Sequence, residues 1–267
     1  LIIKNGSELF GITEQKTNDE GYPKLIPYIE KYLTLVPNVG DYTVEDRFKP
    51  IDRVNLHPSN ECLMCMRRLY FEKSGKYDKQ FINKHDTELQ ITFKIGHALH
   101  AMIQAWFADF NNYDGFPTLI SNECKVIDKE HRIAGSIDSI LKFPGFEKEV
   151  PIEIKTKTAP LFKSLSKPDT AHIMQVSMYL MLKNLPFGIA LYISKDRPHK
   201  MKEFIIKPID MGPTLRRWET VKAALDRGSV DGIGYECKFG DSTYKKCPCR
   251  AFCREEGGKI PAWILHQ

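Results

Sequence analysis

No stretch of this chain is apolar for long enough to cross a bilayer, and no secretory leader is legible at its start. A membrane role is set aside, and the expected compartment is the cytoplasm, where disulfides are uncommon. Internal repeats, low-complexity tracts, a Walker-type phosphate loop and a dinucleotide-binding glycine fingerprint are also missing. ATP-driven work such as strand unwinding would therefore have to come from a second protein. An excess of charge of one sign is lacking too: 39 Lys and Arg against 34 Asp and Glu leave +5, which permits a polyanionic partner without demanding one. Leu1 stands where an initiator methionine is expected, which suggests that the numbering does not begin at a native start.

What is present is a globular composition, 42% hydrophobic and 11% aromatic over 267 residues, enough for one sizeable core with appendages. Residues 1–60 hold one amphipathic helix around KLIPYIEKYLTLV among Pro, Gly and Asn breakers and carry no motif. Residues 61–210 carry the motifs, and 211–267 a helix through LRRWETVKAAL followed by a cysteine-rich end. Between 117 and 157 the pattern predicts three strands, TLISNECKVI, HRIAGSIDSILKF and VPIEIKTK. A helix through QVSMY and strands at GIALYISKD and MKEFIIKP follow. The fold class read from this order is α/β, a mixed central sheet flanked by helices.

The most specific signal is PIEIKTK. Glu153 and Lys155 alternate with Ile152 and Ile154, so a strand presents carboxylate and ammonium together on the face opposite the isoleucines. Alone, this is also what an ordinary amphipathic strand looks like. Upstream, Ala134, Ser136, Asp138 and Ile140 share one face of a strand whose other face carries Ile133, Gly135 and Ile137. A lone charge at Asp138 among small and apolar neighbours is costly, and a bound cation removes that cost. Two carboxylates are the oxygen donors that Mg²⁺ or Mn²⁺ takes. Such a cation polarises a phosphodiester and activates water, while Lys155 steadies the developing charge.

In TFKIGHALHAMIQAWFADF, the residues Phe93, Gly96, His100, Ile103, Phe107 and Phe110 fall on one helical stripe. His100 thus points toward the core, whereas His97 shares a more polar face with Ala101 and Gln104, and His100 is the candidate ligand. Gln175 and Tyr179 are neighbours at i and i+4 on a later helix, placed to hold a ligand or to reach phosphate oxygens. Lys155, Lys157, Lys163 and Lys167 run without an acidic residue until Asp169, a segment suited to tracking a phosphate backbone. Arg67 and Arg68, beside Tyr70 and Phe71, are a second candidate nucleic-acid contact. Of the 7 cysteines, Cys62 and Cys65 lie at one end of the chain and Cys237, Cys247, Cys249 and Cys253 at the other, with Cys124 apart. Cys62 and Cys65 with two of Cys247, Cys249 and Cys253 would suit tetrahedral zinc.

In this order, G-x-x-x-H at 96–100, G-x-x-D at 135–138, E-x-K at 153–155 and Q-x-x-x-Y at 175–179 resemble the RecB-like branch of the PD-(D/E)xK nucleases. The resemblance spans about residues 62–255 and is similar in kind to the cysteine-bearing exonucleases, among them CRISPR-associated RecB-like exonucleases, AddB-type nuclease domains and phage enzymes. It implies a restriction-endonuclease-like core and a metal-dependent DNA exonuclease of recombination, repair or phage DNA metabolism. A nicking or structure-selective endonuclease, or a non-cleaving DNA-binding subunit, are the alternatives. It further implies His100, Asp138, Glu153 and the Ile154 carbonyl as metal ligands, Lys155 as the catalytic lysine, and Gln175 and Tyr179 as supporting or DNA-contacting groups. The DNA partner would carry a free end or be single-stranded, and a helicase or recombination protein would act alongside. By the same resemblance, Cys65, Cys237, Cys247 and Cys253 hold a 4Fe-4S cluster, with Cys249 or Cys62 as substitutes. The family's C-x-x-C-x-x-x-x-x-C run is altered here: Cys247 and Cys253 keep the longer gap, and the shorter one is lengthened to Cys237.

Overall fold

The computed structural model describes residues 17–35, 52–76, 87–238 and 242–253. The remainder of the expected N-terminal extension and residues 254–267 lie outside the described residues. The elements in order are α1 (Ile26–Leu35), α2 (Pro58–Glu61), α3 (Met66–Lys73), α4 (Thr87–Asp109), β1 (Thr118–Asp128), β2 (Ile133–Lys142) and β3 (Val150–Lys157). They continue with α5 (Ala159–Lys163), α6 (Thr170–Lys183), β4 (Gly188–Ser194), β5 (Met201–Ile206), α7 (Gly212–Arg227), α8 (Ser242–Lys245) and α9 (Arg250–Cys253). This is a mixed α/β fold whose helix, three-strand, helix, strand order is the one the resemblance implied. No helix among the described residues is long and apolar enough to cross a membrane.

The sheet runs β1-β2-β3-β4-β5, antiparallel throughout except for the parallel β3–β4 pair. A parallel pair needs a crossover, and α5 with α6 supplies it. β4 is buried along its whole length, which explains its near-continuous apolar sequence, and β3 is buried from Val150 to Ile154 and only partly so from Lys155 to Lys157. On one face Ile152, Ile154, Ile189, Leu191 and Ile193 pack with α1 and α4 through Ile29, Tyr32, Ile103 and Phe107. On the other, Ala190 and Tyr192 meet α5 and α6 through Phe162, Val176 and Leu180. A further core joins α2, α3 and α7 to the C-terminal cysteines around Leu69, Phe71, Trp218 and Val221.

Two expectations are corrected. Phe93, expected on the core stripe of α4, is an exposed residue of its first turns; the buried stripe begins later, at Leu99, Ile103, Trp106 and Phe107. The alternation of β2 also breaks: Ile140 packs with Ile137 and Tyr179, while Leu141 enters the core beneath α4. The neighbouring β1 is irregular as well: its register shifts between Leu119 and Ser121, and Glu123 takes a left-handed φ of 49°.

Candidate active site

β2 and β3 pair from Leu141↔Val150 to Ser139↔Ile152 and then part. The next β3 amide that faces β2, that of Ile154, loses its strand partner, and an unpaired buried N–H is costly. Asp138 fills the gap: its Oδ2 accepts from the Ile154 N–H at 2.7 Å. The backbone of Ile154, named from the sequence for its carbonyl, therefore also serves the site through its N–H. His100 Nδ1, on α4, lies 3.6 Å from the same Asp138 oxygen. Glu153 points toward α6, where its Oε1 accepts from Lys155 Nζ at 2.6 Å and from Gln175 Nε2 at 2.6 Å. Gln175 Nε2 is 3.5 Å from the Tyr179 hydroxyl. The structure thus brings together His100, Asp138, Glu153, Lys155, Gln175 and Tyr179 at the fork where the two strands separate, while His97 lies on the exposed side of α4.

Two glycines permit the close packing. A Cβ on Gly135 would lie 2.6 Å from the Tyr179 hydroxyl oxygen and 2.8 Å from its ring, so only glycine lets the phenol rest on β2. A Cβ on Gly96 would lie 3.1 Å from Thr156 Oγ1, so this glycine lets α4 lie close against β3.

The charges are unequal in fate. Burial pushes Asp138 up, but the neighbouring His100, Lys155 and the Ile154 N–H together hold it below the ordinary carboxylate range. Burial and the Asp138 charge raise Glu153 well above it. Burial pulls the Lys155 ammonium down, and the Glu153 and Asp138 charges more than reverse this. Glu153 is 3% exposed and Gln175 2%, and in each one oxygen is left over: Glu153 Oε2 and Gln175 Oε1 have no hydrogen-bond donor. Among the described residues, no group of three or more His, Cys, Asp or Glu is spaced to hold a metal ion as it stands. The donor chemistry nonetheless suits a hard cation: two carboxyl groups and an imidazole converge, and a buried carboxylate oxygen without a donor is the atom a cation satisfies.

Sequence reasoning missed three contributors. Gln104, expected on the polar face with His97, is buried one turn beyond His100; its Nε2 donates to the Asp138 carbonyl at 2.7 Å and to Glu123 Oε1 at 2.9 Å. Glu123 Oε2 accepts in turn from Ser136 Oγ at 3.2 Å. The i, i+4 spacing from His100 was the available signal for Gln104, while nothing local announces the backbone of Glu123. The third is His172, one turn before Gln175, whose Nδ1 lies 2.7 Å from the Tyr192 hydroxyl. Burial, followed by the charge of Lys155 and, to a smaller extent, Lys157, lowers its pKa to about 4 against the opposing charge of Asp169.

No family model matches the chain, and no curated protein does. Among solved structures, the crystal structure of SSO0001 is 21% identical, over 84% of this chain and 96% of that one, at a TM-score of 0.45. An alkaline exonuclease from Laribacter hongkongensis, LHK-Exo, is 13% identical over 66% of this chain and 90% of its own, at a TM-score of 0.48. Its complex with dAMP gives 13% identity and a TM-score of 0.43.

Away from the fork, the C-terminal thiols gather on α3. Cys62, Cys249 and Cys253 are buried in one core with Cys247 packed against it, and Cys65 is close enough to Cys253 to feel its charge. A hydrogen bond from Cys249 and the charge of Arg68 lower the Cys247 thiol to about 6, while the Cys249 thiol is raised by the same bond. Burial pushes Cys62 up to about 12. Cys237 is partly exposed, and Cys124 stands apart on β1.

Arg67 is corrected: it is 4% exposed and does not face a ligand in solvent. Its guanidinium donates to the Ile233 carbonyl at 2.8 Å, the Cys253 carbonyl at 2.8 Å and Cys253 Sγ at 3.3 Å, and stacks on Tyr235. Arg68 pairs with Glu72 at 2.7 Å. In the basic run, Lys157 pairs with Asp169, whereas Lys163 and Lys167 are exposed.

Proposed function

We propose that this chain is a metal-dependent DNA exonuclease of recombination, repair or phage DNA metabolism. The observation that carries the reading is the convergence of Asp138, Glu153 and Lys155 at the β2–β3 fork, with Glu153 Oε2 buried and lacking a donor. Asp138, Glu153, His100 and the Ile154 carbonyl would hold Mg²⁺ or Mn²⁺. Bound there, the cation polarises the phosphodiester and lowers the pKa of the attacking water. The remaining work falls to the chain's own groups. Lys155, kept protonated by the two carboxyl groups, stabilises negative charge developing on the phosphoryl oxygens. Gln175 fixes the Glu153 carboxyl group from behind, and Tyr179, seated on Gly135, backs Gln175. Lys157, Lys163 and Lys167 supply the backbone contacts, and the DNA enters with a free end or as a single strand. Cys65, Cys237, Cys247 and Cys253 would hold a 4Fe-4S cluster, with Cys249 or Cys62 as substitutes and zinc as the competing metal.

The deciding experiment incubates 5′-labelled linear DNA and covalently closed circular DNA with Mg²⁺ or Mn²⁺, beside the Asp138→Ala protein. Loss of the linear substrate alone, absent in the variant, is the expected result. Cutting of circles would move the reading to an endonuclease with the same site. Folded protein that cuts neither would leave a non-cleaving DNA-binding module.

A further inference from the structure

On α6, His172 precedes Gln175 by three residues and Tyr179 by seven, so all three side chains share the ridge that faces the fork. Beneath it, the hydroxyl of Tyr192, a fully buried β4 residue paired in register with Lys155, sits between two nitrogens. The Asp169 N–H donates to this oxygen at 3.1 Å, and His172 Nδ1 lies 2.7 Å from it. A phenol has one proton to give. With a backbone N–H already donating to the oxygen, that proton has His172 Nδ1 as its acceptor. The opposite arrangement, with hydrogen on Nδ1, would leave the phenolic proton buried without its acceptor, which is costly. The imidazole is therefore fixed with its hydrogen on Nε2. Its side chain is 18% exposed, so the ring reaches solvent; Asp169 Oδ2 lies 3.8 Å from Nδ1, and the charges of Lys155, Asp169 and Lys157 all act on the ring.

We infer that His172 is a substrate-binding residue, a neutral imidazole locked by Tyr192 in the Nε2–H form to donate a hydrogen bond to a phosphate oxygen of the nucleic-acid strand. The inference rests on the proposed nuclease reading and deepens it. A neutral donor suits this place: Asp169 already pairs with Lys157 beside the ring, and an N–H adds a directed contact without adding a charge. The relay also separates the two ring nitrogens by role, Nδ1 serving the fold and Nε2 the ligand.

Two substitutions divide those roles. In His172→Asn the amide oxygen falls near the place of Nδ1 and accepts from Tyr192, but no donor reaches the place of Nε2. In His172→Gln the amide nitrogen reaches the place of Nε2, and the Tyr192 acceptor is lost. Binding of labelled single-stranded DNA, followed by anisotropy with Ca²⁺ to hold off cleavage, is measured beside melting temperature and cleavage rate. The Asn variant is expected to melt like the parent and to bind about tenfold more weakly, the scale of a hydrogen bond to a charged group. Its salt dependence should be unchanged, because no charge is removed. The Gln variant should bind within about threefold of the parent, a small fraction of one such bond, and melt lower. A parent-like affinity in the Asn variant, a flattened salt dependence, or weak binding by folded Gln variant would each overturn the assignment. Parent protein that neither binds nor cuts DNA would instead overturn the nuclease reading with it, so the two failures are distinguishable.

Discussion

The fork between β2 and β3 and the thiol-lined end of α3 both bury charge, and they settle it differently. Arg67, at the second place, finds two carbonyl oxygens, a sulfur and an aromatic face within the fold. Its charge is accounted for, and the segment that brings those partners is fastened in return. The fork is left incomplete: Lys155, Gln175 and the Ile154 N–H cover part of the carboxyl surface, and Glu153 Oε2 and Gln175 Oε1 remain bare. A fold tolerates a few kcal/mol of such cost where a ligand removes it. Burial alone therefore does not separate a structural charge from a working one; at the fork, a bare oxygen belongs to a charged group, and that is the difference from Arg67.

The sharpest way to break this comparison is at Lys155. Lys155→Ala should lower the cleavage rate by about a thousandfold, the scale of removing one preorganised charge-stabilising donor, while DNA affinity stays near that of the parent. Single-turnover cleavage and anisotropy on the same preparation read the two effects. A variant that still cuts within tenfold of the parent would remove Lys155 from the mechanism and leave the fork as an oddly unsatisfied structural pair.

At the other end the expected effect is on stability. Arg67→Met keeps the apolar stem and deletes the guanidinium, leaving the Ile233 and Cys253 carbonyls without their donor. We expect a loss of about 2–4 kcal/mol in urea unfolding, from two buried acceptors stranded together. Cleavage per folded molecule should change little. In the proposed reading, anaerobically purified parent protein is brown and carries iron and acid-labile sulfide, and the variant carries less; stoichiometric zinc in colourless protein would replace the cluster. A fully stable Arg67→Met protein with weakened DNA binding would return Arg67 to the surface role its sequence suggested.

How far the chain could be read in advance follows the same division. Alternation placed Glu153 and Lys155 opposite Ile152 and Ile154, helical spacing paired Gln175 with Tyr179, and both hold because strand and helix geometry are local. The partners of Arg67 lie 166 and 186 residues away, so Arg-Arg on a short helix reads identically whether exposed or enclosed. Glu123 illustrates a second limit: its left-handed backbone, about 1–2 kcal/mol uphill for a residue with a Cβ, is imposed by the register of β1 on β2 rather than by its own preference. The role of His172 needed Tyr192, which no periodicity links to α6.

The smallest expected effect tests the surface against both buried regions. Lys163 and Lys167 are exposed on the crossover segment, and Lys157 is engaged with Asp169. Replacing Lys163 and Lys167 together by Gln should weaken DNA binding only a few-fold at low salt. The slope of log affinity against log salt should fall by about 1.4 on single strands, about 0.7 for each phosphate no longer neutralised. Melting temperature and the cleavage rate of bound DNA should stay with the parent, since neither ammonium enters the fork. An unchanged slope would make this segment ordinary solvated surface, and the phosphates would then have to be met by the lysines nearer the fork. The ordering itself is the test: a rate effect at Lys155, a folding effect at Arg67 and a salt effect at Lys163 and Lys167 are three separable outcomes. One variant that moved two of them would show that the buried and exposed charges are coupled.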